Sequence, residues 1–127
     1  MDESAVISAG LARYVRAVAE RVGVPAEGTE FEVSDTATAY LGLEGPGPDL
    51  MLLWNERRGW SIAVETGPAE RPIVVAHFGP PRVPSPEEVA RFVRDVLAGG
   101  PGGPEPEFGP EQDRRALAER LAAYLED

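Results

Sequence analysis

The 127-residue chain contains no cysteine and no lysine, and its twelve basic residues are all arginine. Without cysteine, disulfides, thiolate metal sites and thiol catalysis are excluded. Without lysine, Schiff-base chemistry is excluded as well. No apolar run approaches the roughly 18 residues that a membrane span needs, so we expect no membrane partner. The acidic start, Met1-Asp2-Glu3, lacks the basic region of a signal peptide, and we expect a cytoplasmic location.

Basic residues are also missing from a long interval, because none lies between Arg21 and Arg57. The same interval carries seven acidic residues, and the net charge of the chain is −10. A surface built from them would repel phosphates, so we predict no nucleic-acid partner. It could attract a basic protein, or it could be an ordinary solvated surface.

The apolar pattern predicts helices at both ends of a β-rich centre. A helical stripe ends at the stop signal Gly23 and Pro25. Four strands are predicted at 37–43, 50–54, 60–65 and 73–78, and the alternating segment around Phe31 and Val33 is a short strand or the start of one. The stripe consists of Ile7, Leu11, Tyr14, Val15, Val18 and Val22.

Ser85, Pro86 and Glu88 form a capping-box pattern that predicts the start of a second helix, which Gly99 ends. Residues 100–110 are rich in glycine and proline and are predicted to be a linker. A last amphipathic helix is predicted over 111–127, with Leu117 and Leu121 on its apolar face. We expect residues 1–99 to form the domain and to fold without the rest.

These elements predict an α+β fold. A four-stranded antiparallel meander sheet is flanked by an N-terminal and a following helix, with a C-terminal helix after the linker. Helices on one face would leave the other face open for dimerisation or ligand contact, so a homodimer is compatible with the pattern.

Catalytic chemistry is hard to place in this sequence, and we predict no catalytic residue, no metal site and no cofactor. The single histidine, His77, is either a general base or a strand residue with a structural role. No serine lies in a nucleophile elbow. Glu30, Glu32 and Asp35 could group oxygens for Mg²⁺ or Ca²⁺, but alternation places the two glutamates on a solvent-facing strand side.

Trp54 ends one strand and Trp60 begins the next, with a polar loop between them. In a hairpin they would lie opposite each other, either as a core pair that fixes the register or as an aromatic contact platform. Arg57 and Arg58 at the loop tip are the basic residues best placed for a contact.

Several short segments resemble a family of small actinobacterial proteins known only as a domain of unknown function. They are residues 14–20, 34–41, 59–65 and 90–93. The resemblance covers about residues 10 to 99. It implies an actinobacterial cytoplasmic protein and supplies no activity and no site residues.

Two functional hypotheses follow. The leading one is a non-enzymatic interaction or regulatory module that binds a protein partner or a second copy of itself. The alternative is a small-molecule binding protein or an enzyme, with a pocket between the sheet and the first helix that uses Tyr40, Trp54 or His77. Together with Arg57 and Arg58, these are the candidate binding residues.

Overall fold

A computed structural model describes residues 2–43, 49–65, 73–79, 81–100, 102 and 113–125. The elements, in chain order, are α1 (Glu3–Val22), a 3₁₀ turn (Ala26–Gly28), β1 (Thr29–Val33), β2 (Ala37–Leu43), β3 (Leu50–Asn55), β4 (Gly59–Val64), β5 (Ile73–His77), α2 (Pro86–Leu97) and α3 (Asp113–Ala122), which continues as a 3₁₀ turn (Ala123–Leu125). The predicted α+β class and antiparallel sheet are confirmed.

The sheet is a meander with the strand order β1-β2-β3-β4-β5, and every neighbouring pair is antiparallel. The prediction of four strands is wrong, because β1 is a complete strand of its own. Val33 pairs with Ala37 across the short Ser34–Thr36 turn, so the chain reverses there. β1 is an edge strand with mostly exposed residues, and such a strand has only a weak apolar signal in the sequence.

The β3–β4 hairpin has the predicted form. Trp54 pairs directly with Trp60, and Asn55 pairs with Gly59. Gly59 has a φ of 70°, a left-handed conformation that glycine adopts without a steric penalty. The loop composition and the positions of the two tryptophans therefore predicted the register correctly.

The three helices lie on the same side of the sheet. Their apolar residues form one core cluster with the inward side chains of the strands. The predicted caps are confirmed: Gly23 has a φ of 95° at the end of α1, and Ser85 and Glu88 form a reciprocal capping box at the start of α2. None of the described helices is long and apolar enough to cross a membrane.

α3 packs on α1 of the same chain. Leu117 and Leu121 are fully buried in the common core, and the Tyr124 ring lies 4.8 Å from the Tyr14 ring, centroid to centroid. The predicted boundary at residue 99 concerns autonomous folding and stays a prediction. The predicted linker, 100–110, lies almost entirely outside the described residues.

Candidate functional site

The sheet face opposite the helices carries one continuous row of side chains. The registers align Glu30, Tyr40, Leu53, Ser61 and His77 across all five strands. Successive strand residues point to opposite faces, so these residues face away from the Trp54 and Trp60 side. Two of the candidate binding residues, Tyr40 and His77, therefore share a face, about 14 Å apart by strand spacing.

The accessible part of this face lies over β1, β2 and β3. Glu30, Glu32 and Thr38 are exposed there, whereas Tyr40 and Leu53 are half-buried. We call these five residues the outer patch. They line a shallow groove of about 670 Å³, which is large enough for a side chain or a small ligand.

The outer patch is electronegative. The pKa of Tyr40 is raised above its ordinary value, first by partial burial and then by the nearby carboxylates of Glu65, Glu30 and Asp49. A phenolate is harder to form beside negative charges, so the raised pKa of Tyr40 indicates a negative electrostatic potential at the outer patch. The described residues that line the groove include two carboxylates and no cation.

His77 lies at the other end of the row and is only partly exposed. Its Nδ1 atom is buried and has no hydrogen-bond partner among the residues that the structure describes. Gly102 packs beside it, so closely that an added Cβ atom would clash with the Cβ atom of Ala76 and would lie 3.1 Å from the His77 backbone nitrogen. The groove that contains Tyr40 is lined by residues of β1, β2 and β3, and His77 is not one of them.

The hairpin residues divide into buried and exposed ones. Trp54 is buried, and its indole Nε1 donates to the carbonyl oxygen of Arg82 at 2.8 Å. Arg57 and Arg58 are exposed at the loop tip, where the Asn55 side-chain oxygen accepts from both of their backbone amides at 2.8 Å. The structure thus separates Trp54 from the exposed surface and keeps the two arginines on it.

A buried hydrogen-bond chain below the sheet involves a residue that the sequence marked only as core. The Tyr14 hydroxyl accepts from Trp60 Nε1 at 3.0 Å and donates to the carbonyl oxygen of Pro84 at 2.5 Å. Burial raises the pKa of Tyr14 well above its ordinary value, although the Trp60 bond acts in the opposite direction. The chain ties α1, β4 and the segment before α2 together.

Glu56 is the second residue that sequence reasoning missed. Its carboxylate accepts from the Ala37 backbone amide at 2.6 Å and from Arg114 at 3.2 Å. Its backbone carbonyl accepts from the Arg82 guanidinium at 2.8 Å. Nothing in a polar hairpin loop distinguishes a glutamate that folds inward, so the sequence held no signal for this role.

A second groove, of about 590 Å³, lies between α1 and β1. Its lining includes Val15, Arg16 and Glu20 of α1, and Phe31 of β1. Phe31 faces the helix layer yet is 43% exposed, because the edge strand is incompletely covered. The groove has the position predicted for a pocket, but Tyr40, Trp54 and His77 do not line it.

Glu30, Glu32 and Asp35, which the sequence analysis considered as metal ligands and set aside, do not form a cluster of ligands. The described part of the chain holds no set of three or more acidic or histidine side chains placed to bind a metal ion. Glu30 and Glu32 point outward from β1, and Asp35 lies in the turn that follows.

Comparisons with known proteins give a family and no activity. No curated protein and no solved structure matches the chain. Residues 14–95 match a family of unknown function, DUF6292, and the match covers the C-terminal part of α1 from Tyr14, the sheet, and α2 up to Asp95. The chain therefore belongs to the family of unknown function DUF6292.

Proposed function

We propose that the protein is a non-enzymatic interaction module that binds a basic protein segment on its outer patch. The observation that carries the proposal is the position of Tyr40. A half-buried aromatic ring lies between carboxylates, on the face that the three helices leave free.

The chemistry of the outer patch favours an arginine-containing partner. A guanidinium can stack on the Tyr40 ring and reach a carboxylate with its donors. Leu53 supplies apolar contact beside the ring, and Glu30 and Glu32 supply charge on the edge strand. Because these charges are exposed, the association should weaken as ionic strength rises.

The test compares two double variants that have the same net charge. Glu30→Gln/Glu32→Gln removes two carboxylates from the outer patch. Glu87→Gln/Glu119→Gln removes two exposed carboxylates from α2 and α3 and is the matched control. The probe is a capped arginine-rich peptide, titrated into each ¹⁵N-labelled protein and followed by NMR.

We expect the peptide to shift amide signals of β1, β2 and β3, in the wild type and in the control variant. The outer-patch variant should lose most of these shifts, and so should Tyr40→Leu. Equal shifts in all variants, or shifts spread over the whole acidic surface, would show diffuse attraction and would overturn the proposal.

A small-molecule ligand is the second candidate function, and the α1–β1 groove favours it. Exposed Phe31, together with Val15 and Arg16, gives the groove an apolar wall and a cation. A ligand that binds only the folded state raises the melting temperature. A thermal-shift screen of metabolites and metals should then find a compound whose effect Phe31→Ala abolishes and Tyr40→Leu preserves; a screen without any shift would count against this candidate.

The cytoplasmic location, the actinobacterial source and self-association stay predictions.

A further inference from the structure

α3 occupies a surface that is shaped for a helix. We call this surface the α3 seat and define it by Gly10 and Tyr14 of α1, the Ser34 carbonyl and the Glu56 carboxylate. The seat lies on the helix side of the sheet and is separate from the outer patch.

The backbones of α1 and α3 approach each other closely at Gly10. A Cβ atom at this position would lie 2.5 Å from the backbone oxygen of Leu121, which is too near for any residue other than glycine. Leu121 and Leu117 are both fully buried beside it. Shape therefore fixes the position of α3 along α1.

Polar and aromatic contacts fix the two ends of α3. At its start, Arg114 donates to Glu56 at 3.2 Å and to the Ser34 carbonyl oxygen at 3.1 Å. At its end, the ring of Tyr124 packs on Tyr14. A helix must carry the right groups at both ends to fit, so the seat is selective.

The segment that joins α2 to α3 is rich in glycine and proline. Residues 99–112 include five glycines and four prolines, a composition typical of a spacer. α3 has ten residues and lies outside the part of the chain that matches the family. A helix of this length is marginal alone, so its order depends on the seat.

We propose that the α3 seat is a helix-docking site that also accepts α3 of a second copy, which produces an α3-exchanged dimer. The tether gives its own α3 an effective concentration on the order of millimolar. At lower protein concentrations the chain therefore keeps its own helix, and the exchanged form appears when that arrangement is blocked.

The experiment mixes two full-length variants. The first, Gly10→Leu, blocks its own seat and keeps an intact α3. The second, Leu117→Asp/Leu121→Asp, disables its own α3 and leaves every residue of the seat unchanged. Each is measured alone and in an equimolar mixture by multi-angle light scattering and thermal unfolding.

We expect neither variant to dimerise alone, and we expect the second variant alone to lack a cooperative melting transition. In the mixture we expect a one-to-one heterodimer, in which the second variant regains a cooperative transition. Adding Leu117→Asp to the first variant should abolish the heterodimer. Adding Arg115→Ala, at an exposed position of α3, should leave it intact. A mixture that stays monomeric would overturn the proposal.

A deletion of residues 103–110 covers the case in which either variant fails to fold. It leaves two residues between Gly102 and Asp113, a link of at most about 11 Å. Gly102 lies at Ala76 on β5, whereas the Arg114 side chain reaches Ser34 beside β1, and four strand spacings are about 19 Å. Ser34 is also about 13 Å further along the strands, because Ala76 aligns with Leu41 rather than with Ala37, so the reach of one arginine does not close the gap. The seat and α3 are unchanged in this variant, so we expect a stable dimer; a monomer would contradict the exchange.

Discussion

The indole nitrogen of Trp60 lies 3.0 Å from the hydroxyl oxygen of Tyr14 and donates a hydrogen bond to it. The same hydroxyl donates to the Pro84 carbonyl, so one oxygen joins the first helix, the sheet and the segment that leads into α2. Both aromatic side chains are fully buried. Water cannot replace either bond without opening the core.

Replacing Tyr14 by phenylalanine should therefore destabilise the fold. The indole N–H of Trp60 and the carbonyl oxygen of Pro84 would both lose a partner in a buried place. We expect the free energy of unfolding to fall by about 1–3 kcal/mol, as measured by urea denaturation. Tyr40→Phe on the outer face is the control and should change it by less than about 0.5 kcal/mol. Equal effects of the two variants would contradict the role of Tyr14.

The burial of Tyr14 should also make the stability of the fold decrease at alkaline pH. Burial raises the pKa of Tyr14 above its ordinary value of 10.0, so above that pH the unfolded chain loses the phenol proton while the folded chain keeps it. Unfolding then releases a proton, and the stability contributed by neutral Tyr14 is full below pH 10 and declines as pH rises.

The expected slope from Tyr14 is up to about −1.4 kcal/mol per pH unit. The chain has no lysine or cysteine, so few other groups titrate in this range, although the pKa values of Tyr40 and Tyr124 are also raised. Urea denaturation between about pH 8 and pH 11 measures the slope. Tyr14→Phe should flatten it more than Tyr40→Phe does; an unchanged slope in Tyr14→Phe would refute the assignment.

The ion pair between Arg114 and Glu56 gives a third prediction. Arg114→Ala removes two hydrogen bonds and leaves the largely buried Glu56 carboxylate with fewer donors. We expect a loss of about 1 kcal/mol, since both side chains retain some contact with water. Arg115→Ala removes the same charge from an exposed neighbour and should cost less than about 0.5 kcal/mol. Thermal unfolding of the two variants side by side decides the question.

The sequence was informative where local chemistry determines structure. Gly59 and the alternating residues around it predicted the hairpin, and Ser85 with Glu88 predicted the second helix start. It was less informative about β1, since Phe31 and Val33 on an edge strand resemble a continuation of β2. Whether a strand lies at the edge depends on the whole sheet, so a window of a few residues does not contain this information.

Contacts between residues that are far apart in the chain could not be predicted from the sequence, for a similar reason. Glu56 and Arg114 are 58 positions apart, and neither belongs to a periodic pattern that would place it inside. The row from Glu30 to His77 depends on all four strand registers together. The sequence therefore indicated Tyr40 and His77 as candidates, but it did not show that they lie in one row. The outer patch can therefore be recognised only when the topology of the sheet is known.

Truncation gives the last prediction, and the packing of α3 changes its expected outcome. The sequence suggested that residues 1–99 fold alone. However, removing residues 100–127 deletes Leu117 and Leu121, which are both 0% exposed, and uncovers Tyr14. Each large aliphatic side chain lost from a core costs about 2–5 kcal/mol, and a whole domain is stable by only about 5–15 kcal/mol.

We therefore expect the truncated chain to lose cooperative thermal unfolding and near-ultraviolet circular dichroism. The control is deletion of residues 126–127 alone, which spares every described contact of α3 and should unfold like the full chain. If residues 1–99 instead melt cooperatively within a few degrees of the full chain, the boundary predicted from the sequence holds. In that case α3 would be an accessory helix on a self-sufficient domain.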